Sequence, residues 1–219
     1  MSPLLVQLSS NFLPRFLAGM MVNFEIAAIA IVLGVGVGLV LAAARLSGGI
    51  GGRAAATTIA LMRAAPTFVV MFFLLNVIPR DARFFGAPLA MSGLMTVALS
   101  LVPYAAAYIA DNGIEAWRQW RGGSPRGCLL LLPNLARAFF VLVMSSSAGA
   151  AIGVNEGIAV ILHHSEQLPG LGDKLVLFAI GILCFGVPLQ AGFAALGFVQ
   201  RRIGRLALRG REEPVFRPT

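Results

Sequence analysis

Long apolar blocks, separated by short polar stretches, run through most of the 219-residue chain. A helix needs about 20 apolar residues to cross a bilayer, and five blocks reach or approach this length. They predict spans at about 25–44, 54–79, 84–110, 127–154 and 175–200. The pattern therefore predicts an all-α integral membrane protein with about five transmembrane helices.

Glycine and proline positions refine the first two spans. Gly34, Gly36 and Gly38 lie inside the first span, where small residues let a neighbouring helix approach closely. Arg63 interrupts the second run, and Pro66 is expected to mark a kink or a helix start.

The charge distribution predicts the orientation. Only 12% of the residues are charged, and the net charge is +8. The basic residues stand in short clusters between apolar blocks and near the C-terminus, which favours a positive-inside topology over nucleic-acid binding. We expect the N-terminus outside, the loop 111–126 and the C-terminus in the cytoplasm, a transmembrane domain over 1–211 and a cytoplasmic tail over 212–219.

Catalytic and metal sites are not predicted. His163, His164, Glu156 and Glu166 could suggest a metal, but adjacent histidines on a helix cannot both face one site, and no further ligand completes a set. No Gly-Lys-Ser/Thr phosphate loop occurs, so any ATP must be bound and hydrolysed by another chain. An intramembrane enzyme would need convergent nucleophile, base or metal groups, which this pattern does not indicate.

Six segments in order resemble the permeases of polar amino-acid ABC importers, the histidine/glutamine type. They are FLAGMMVNFEIAAIAIVLGVGVGLVLAAARLS, MRAAPTFVVMFFLL, SLVPYAAAYIAD, LLPNLARAFF, AAIGVNEGIAVI and FVQRRIGRLALRGR. The resemblance implies a type I ABC importer permease bundle in the bacterial inner membrane, forming half of a translocation pathway. It also implies a second permease subunit, two ATP-binding subunits and a periplasmic solute-binding protein, and no cofactor on this chain.

The cytoplasmic loop departs from the family pattern because it is shorter. In the family a Glu-Ala-Ala segment followed by glycine docks into a groove on the ATPase. The resemblance assigns that coupling role to a remnant of the motif and to the proline that follows it: Glu115, Ala116, Gly122, Gly123 and Pro133. Alternatively, this stretch is the end of the third span and Glu115 is an exposed charge.

The fourth span departs by lacking a charged pair. The family's Lys-Asp-Thr-Ser stretch aligns with Met144 and Ser145, Ser146 and Ser147. These serines could line the pathway, or bond to nearby carbonyls and pack between helices. Asp111, at the inner end of the third span, is either a pathway contact or a helix-end charge.

The two departures together predict a heterodimer, in which a non-identical permease half supplies the stronger ATPase contact and the charged solute site. The alternative is a stand-alone secondary transporter of small polar solutes. Such transporters often contain inverted repeats, and five spans cannot be divided into two equal halves.

Overall fold

The computed structural model describes residues 12–78, 83–84, 87–88, 91–123 and 126–209, with side chains for 12–78, 91–123 and 131–202. The elements in chain order are α1 Leu13–Ser47, α2 Gly49–Ala64, α3 Thr67–Val77, β1 Arg83–Phe84, β2 Ala87–Pro88, α4 Gly93–Arg121, α5 Arg126–Ser145, a 3₁₀ helix Ser146–Ile152, α6 Gly157–Glu166 and α7 Leu171–Arg209. The tail predicted over 212–219 lies outside the described residues.

Four segments are long and apolar enough to span a membrane: Leu13–Ser47, Gly93–Arg121, Leu131–Ile152 and Leu171–Arg202. The bent pair α2 and α3 passes the same test together, which gives five if the pair is counted as one broken span. Within the described residues, the only strands are β1 and β2, which pair antiparallel with Arg83 opposite Pro88. The all-α membrane fold is thus confirmed, with one two-residue hairpin added.

The second span is broken at Pro66. Ala65 and Pro66 both have extended backbones, with ψ of 117° and 125°, and the axes of α2 and α3 differ by 97°. The residue before a proline avoids the helical region because its backbone would clash with the proline ring. The expected kink is confirmed, but the bend is large enough to make two helices of the predicted single run.

The polar stretch from Asp111 to Arg121 is helical, so the loop predicted over 111–126 is wrong for most of its length. Helix α4 starts behind Ser92, whose Oγ accepts a hydrogen bond from the N–H of Met95 at 3.2 Å. It ends at Gly122, whose N–H donates to the carbonyl of Arg118 at 3.0 Å. Polarity alone does not stop a helix when good helix formers continue, and the alternative of an extended third span is the correct one.

The centre of the bundle is the contact of α1 with α4. A Cβ placed on Gly34 would lie 2.5 Å from the Cβ of Ala105, and one on Gly38 would lie 2.7 Å from the carbonyl oxygen of Ala106. The two backbones therefore touch, as expected for small residues four apart. Gly36 has no atom within 4 Å of such a Cβ, so the expectation of close helix contact is wrong for this glycine.

Helices α1 and α4 run in the same direction. Gly34 meets Ala105, and four residues further along α1 Gly38 meets Ile109, four residues further along α4. The chain must therefore return across the bundle between them, and α2 with α3 is the segment that does so. The two ends of the bundle are called the Leu13 end and the Ser47 end, after the termini of α1.

The outside of the bundle is apolar. Val32 and Val40 on α1 are each 69% exposed, and Leu61 on α2 is 67% exposed. Isolated side chains of this kind are ordinary on a soluble protein, but here they cover helices of membrane-spanning length. They form the surface that lipid or a second membrane subunit contacts.

Candidate functional site

Asp111 joins three helices at the Ser47 end. Its carboxylate pairs with Arg63 at the end of α2 and, at 3.7 Å, with Arg45 at the end of α1. The three side chains are 36–58% exposed, so each pair contributes modestly to stability. The arrangement makes Asp111 a fixed contact between α4 and its neighbours.

The next residue, Asn112, ties α4 to two further helices. The Asn134 amide on α5 donates to Asn112 Oδ1 at 2.8 Å, and the Gln200 amide on α7 donates to Asn134 Oδ1 at 3.3 Å. Two consecutive residues of α4 thus contact α1, α2, α5 and, through Asn134, α7. A displacement of α4 at this end would be passed to the whole bundle.

The residues predicted for ATPase coupling lie near one another at this end but differ in exposure. Glu115 is exposed and accepts a hydrogen bond from the Gln119 amide at 2.8 Å, whereas Ala116 is buried within α4. Gly122 and Gly123 form the turn after α4, and Gly123 has a φ of 78° that favours glycine. Pro133 is buried inside α5.

Two tryptophans make this end of α4 an aromatic surface. Trp117 and Trp120 are 41% and 56% exposed, with ring centroids 5.1 Å apart, and the guanidinium of Arg121 lies 5.9 Å from the Trp117 ring. Exposed tryptophans with adjacent arginines are typical of a membrane interface or of a protein contact. The surface therefore has an exposed carboxylate, two indoles and a cation within about two helical turns.

A cavity of about 800 Å³ opens at the Leu13 end, between α3, the start of α4 and the end of the 3₁₀ helix. Asn76 and Thr96 are its polar side-chain contributors. Asn76 donates to the Phe72 carbonyl at 2.6 Å, and Thr96 donates to the Ser92 carbonyl at 3.1 Å. The described wall carries no charged side chain, and Ser145, Ser146 and Ser147 are not part of it.

The three predicted pathway serines stand where α5 becomes a 3₁₀ helix. Ser146 is fully buried, and its Oγ donates to the Val143 carbonyl at 2.7 Å while accepting from the Asn23 amide at 2.8 Å. Ser145 and Ser147 are half-buried. Of the two roles expected for these serines, Ser146 therefore has the second: it bonds to a nearby carbonyl and packs between helices.

Ser146 belongs to a buried polar network that joins α1 to the start of α6. Asn23, fully buried, donates to Glu156 Oε2 at 2.9 Å and accepts from the N–H of Gly157 at 3.0 Å. Glu156, also fully buried, caps α6 by accepting from the N–H groups of Ile158 and Ala159 at 2.9 and 3.0 Å. Each side-chain oxygen in this network therefore accepts a hydrogen bond from another group of the protein.

The carboxyl group of Glu156 lies between the fourth and fifth spans, without a cation beside it in the described part of the chain. Burial raises the pKa of Glu156 above its ordinary value, while the hydrogen bonds from Ile158, Asn23 and Ala159 act in the opposite direction. The network is therefore a structural cap at the Leu13 end.

The Asn23–Glu156 pair was not found from the sequence, although one signal was available. Asn23 is a lone polar residue on the α1 face that buries Gly19, Ile26 and Ala30. A buried amide requires hydrogen-bond partners, so its position predicts a polar contact. The partner, 133 residues away, is not indicated by any local pattern.

These features define a multi-pass helical membrane protein. At one end it has a cavity whose described wall is uncharged, and at the other Asp111 links the helix ends by ion pairs. No protein-family model matches the sequence, and no curated protein matches it. The structure is similar to a chain of a solved structure titled "Crystal structure of an amino acid ABC transporter with histidines", with a TM-score of 0.68 and 20% identity. The match covers 88% of this chain and 95% of that chain, so this chain has the fold of a chain of that transporter.

Proposed function

We propose that this chain is the permease subunit of an ATP-driven importer of polar amino acids and forms half of its translocation pathway. The observation that supports this best is the fold shared with a chain of an amino acid ABC transporter over 88% of the residues. The motif resemblance of six segments in the same order agrees with it. We further propose that ATP is bound and hydrolysed by two partner subunits, and that a periplasmic binding protein delivers the solute.

The described wall of the 800 Å³ cavity, which carries no charged side chain, favours a heterodimer. A zwitterionic solute needs charged or strongly polar partners once it leaves water. The described wall of the 800 Å³ cavity offers only Asn76 and Thr96, and a side-chain donor of each is already bonded to the backbone. A second, non-identical permease subunit would supply the missing charges, and this chain would act mainly as a wall and gate.

The exposed end of α4 is the surface we assign to the ATPase. Glu115, Trp117 and Trp120 are exposed there, about one to two and a half turns beyond Asp111. An ATPase that moves this end would shift α1 and α2 through the Asp111 ion pairs. Coupling through a helix end instead of a separate loop follows from the shortened sequence between α4 and α5.

The proposed orientation places the N-terminus outside and the C-terminus in the cytoplasm of a bacterial inner membrane. The Ser47 end would then face the cytoplasm and the Leu13 end the periplasm. Arg45 and Arg63 pair with Asp111 near the Ser47 end, and Arg53 lies near the start of α2, which agrees with the positive-inside rule.

Purification of the tagged chain from its native membranes, in mild detergent, tests the assembly. Mass spectrometry of the complex should identify two copies of an ATP-binding subunit and a second permease of different mass. Two copies of this chain without another permease would refute the heterodimer. A chain that purifies without any ATPase and transports amino acids in response to an ion gradient would favour the secondary transporter, which the broken second span also permits.

A further inference from the structure

A second cavity, of about 530 Å³, lies at the Leu13 end between α1 and α6. It is unrelated to the 800 Å³ cavity and to the α4 end. Polar and basic side chains converge on it from both helices and from the turn before α6. Its lining is Arg15, Ala18, Gly19, Val22, Asn155, Val160, His163 and His164.

His164 is built into this cavity. It is only 4% exposed, and its ring lies edge-on to Phe12 with the centroids 5.4 Å apart. Nδ1 lies 2.8 Å from the carbonyl oxygen of Val160, and a carbonyl can only accept, so Nδ1 carries a proton. In the neutral ring the other nitrogen, Nε2, is then an acceptor. It has no hydrogen-bond partner among the described residues, so a hydroxyl of a ligand could donate to it.

The other polar groups around the cavity are donors. Arg15 is exposed, and its guanidinium makes no ion pair or hydrogen bond within the described part of the chain. His163 Nε2 lies 3.2 Å from the amide nitrogen of Gln167. If that amide donates, His163 carries its proton on Nδ1, which is a further donor. Asn155 is exposed and adds an amide.

Among the described residues, the cavity lining contains no carboxylate. Glu156 follows Asn155 directly, but it is fully buried and its oxygens accept from Asn23, Ile158 and Ala159. The described lining thus combines a fixed cation, two imidazoles and an amide. The expectation that His163 and His164 cannot face one site is therefore wrong for this cavity. Arginine favours oxyanions because its charge-assisted hydrogen bonds are stronger than neutral ones, and the Nε2 acceptor of His164 favours an anion with a hydroxyl on or beside it.

We propose that this cavity is a binding site for an oxyanion group, a phosphate or a carboxylate, held by Arg15 and by a hydroxyl on or beside the anion that donates to Nε2 of His164. Two sources share this chemistry. Leu13 and Leu17 on α1 and Leu171 on α7 are 50%, 52% and 74% exposed at the same end, so a phospholipid phosphate could enter from the membrane side. A free anion could enter from water. The site does not depend on the proposed transport function.

The test compares the purified full chain with Arg15→Gln and with Arg53→Gln as a matched control. Arg53 is likewise exposed and forms no ion pair in the described structure, but it lies on α2 at the other end. Binding of phosphatidylglycerol is measured by native mass spectrometry. Binding of inorganic phosphate and of acetate is measured by calorimetry at constant ionic strength.

We expect at least one probe to bind the wild type about tenfold or more tightly than Arg15→Gln, the loss typical of one charge-assisted hydrogen bond. Arg53→Gln should bind like the wild type. Lipid binding alone identifies a headgroup as the source, and phosphate or acetate binding identifies a free anion. Equal binding by wild type and Arg15→Gln for every probe, or equal weakening by Arg53→Gln, would overturn the site.

A second variant tests the buried imidazole. His164→Phe retains a ring against Phe12 but removes the Nε2 acceptor from a residue that lines the cavity. We expect a loss of affinity for the same probe, with circular dichroism and the unfolding midpoint used to confirm folding. Unchanged affinity in a folded His164→Phe variant would remove His164 from the site.

Discussion

Replacing Gly34 by alanine tests the contact that organises the bundle. The added Cβ would lie 2.5 Å from the Ala105 Cβ and 3.2 Å from the Ala105 carbonyl carbon. Ordinary carbon–carbon contacts are about 3.5–4.0 Å, so α1 and α4 would have to separate by about 1 Å. Neither neighbouring atom lies at the end of a flexible side chain, so the strain cannot be relieved by a rotamer change.

The expected loss of unfolding free energy in Gly34→Ala follows from a comparison with Gly36→Ala. Both changes gain helix propensity, worth about 1 kcal/mol, but Gly36 has open space where Gly34 meets α4. The difference between the two variants therefore isolates the overpacking term, about 1–3 kcal/mol. We expect Gly36→Ala to be more stable than the wild type. Gly34→Ala should be less stable than Gly36→Ala, and its stability should equal that of the wild type only if overpacking costs no more than the helix propensity gains.

The assay is unfolding of the purified chain in mixed micelles with increasing SDS, followed by circular dichroism. Gly38→Ala, which would meet the Ala106 carbonyl oxygen at 2.7 Å, should resemble Gly34→Ala. Equal unfolding free energies for Gly34→Ala and Gly36→Ala would show that α1 does not pack on α4 through this face. A less stable Gly36→Ala variant would contradict the reasoning directly.

Three further predictions use the same unfolding assay. Asp111→Asn removes two exposed ion pairs and should lower the free energy of unfolding by at most about 2 kcal/mol. The control Glu115→Gln should unfold like the wild type. A loss well above about 2 kcal/mol for Asp111→Asn would contradict the interpretation that these ion pairs are exposed. Asn23→Leu leaves buried partners unsatisfied and should cost about 2–5 kcal/mol, whereas Asn76→Leu, on an exposed site, should cost less than about 1 kcal/mol. Because burial raises the pKa of Glu156, the folded state favours the protonated acid. The contribution of Glu156 to the free energy of unfolding should therefore be greatest below the ordinary glutamate pKa of about 4.3. It should be lost as the pH rises through the raised pKa that Glu156 has in the folded state. A Glu156→Gln variant should lack this fall, and an unchanged pH profile would refute the assignment.

The spans and the helix contacts were predictable because hydropathy and small residues are local signals. The apolar blocks gave five spans, and Gly34 and Gly38 marked the face of α1 that meets α4. Gly36 was wrongly included because alternate residues of a helix point to different sides. A strict four-residue spacing would have separated it from the other two.

The α4 extension and the buried network were harder to predict. The polar stretch after Asp111 looked like a loop because charged residues and glycines dominate it, yet it continues the helix to Arg121. The contact of Asn23 with Glu156 depends on how α1 and the start of α6 meet. Such a contact is fixed by tertiary packing and leaves no periodic signal in the sequence.

Amino-acid uptake into proteoliposomes tests the transport proposal most directly. The complex purified with the tagged chain is reconstituted, supplied with the external binding protein and a radiolabelled mixture of polar amino acids, and compared with vesicles that contain this chain alone. The proposal predicts uptake only by the complete assembly and only when ATP is present on the ATPase side. Uptake by the chain alone without ATP, or no uptake by the complete assembly with ATP, would contradict it.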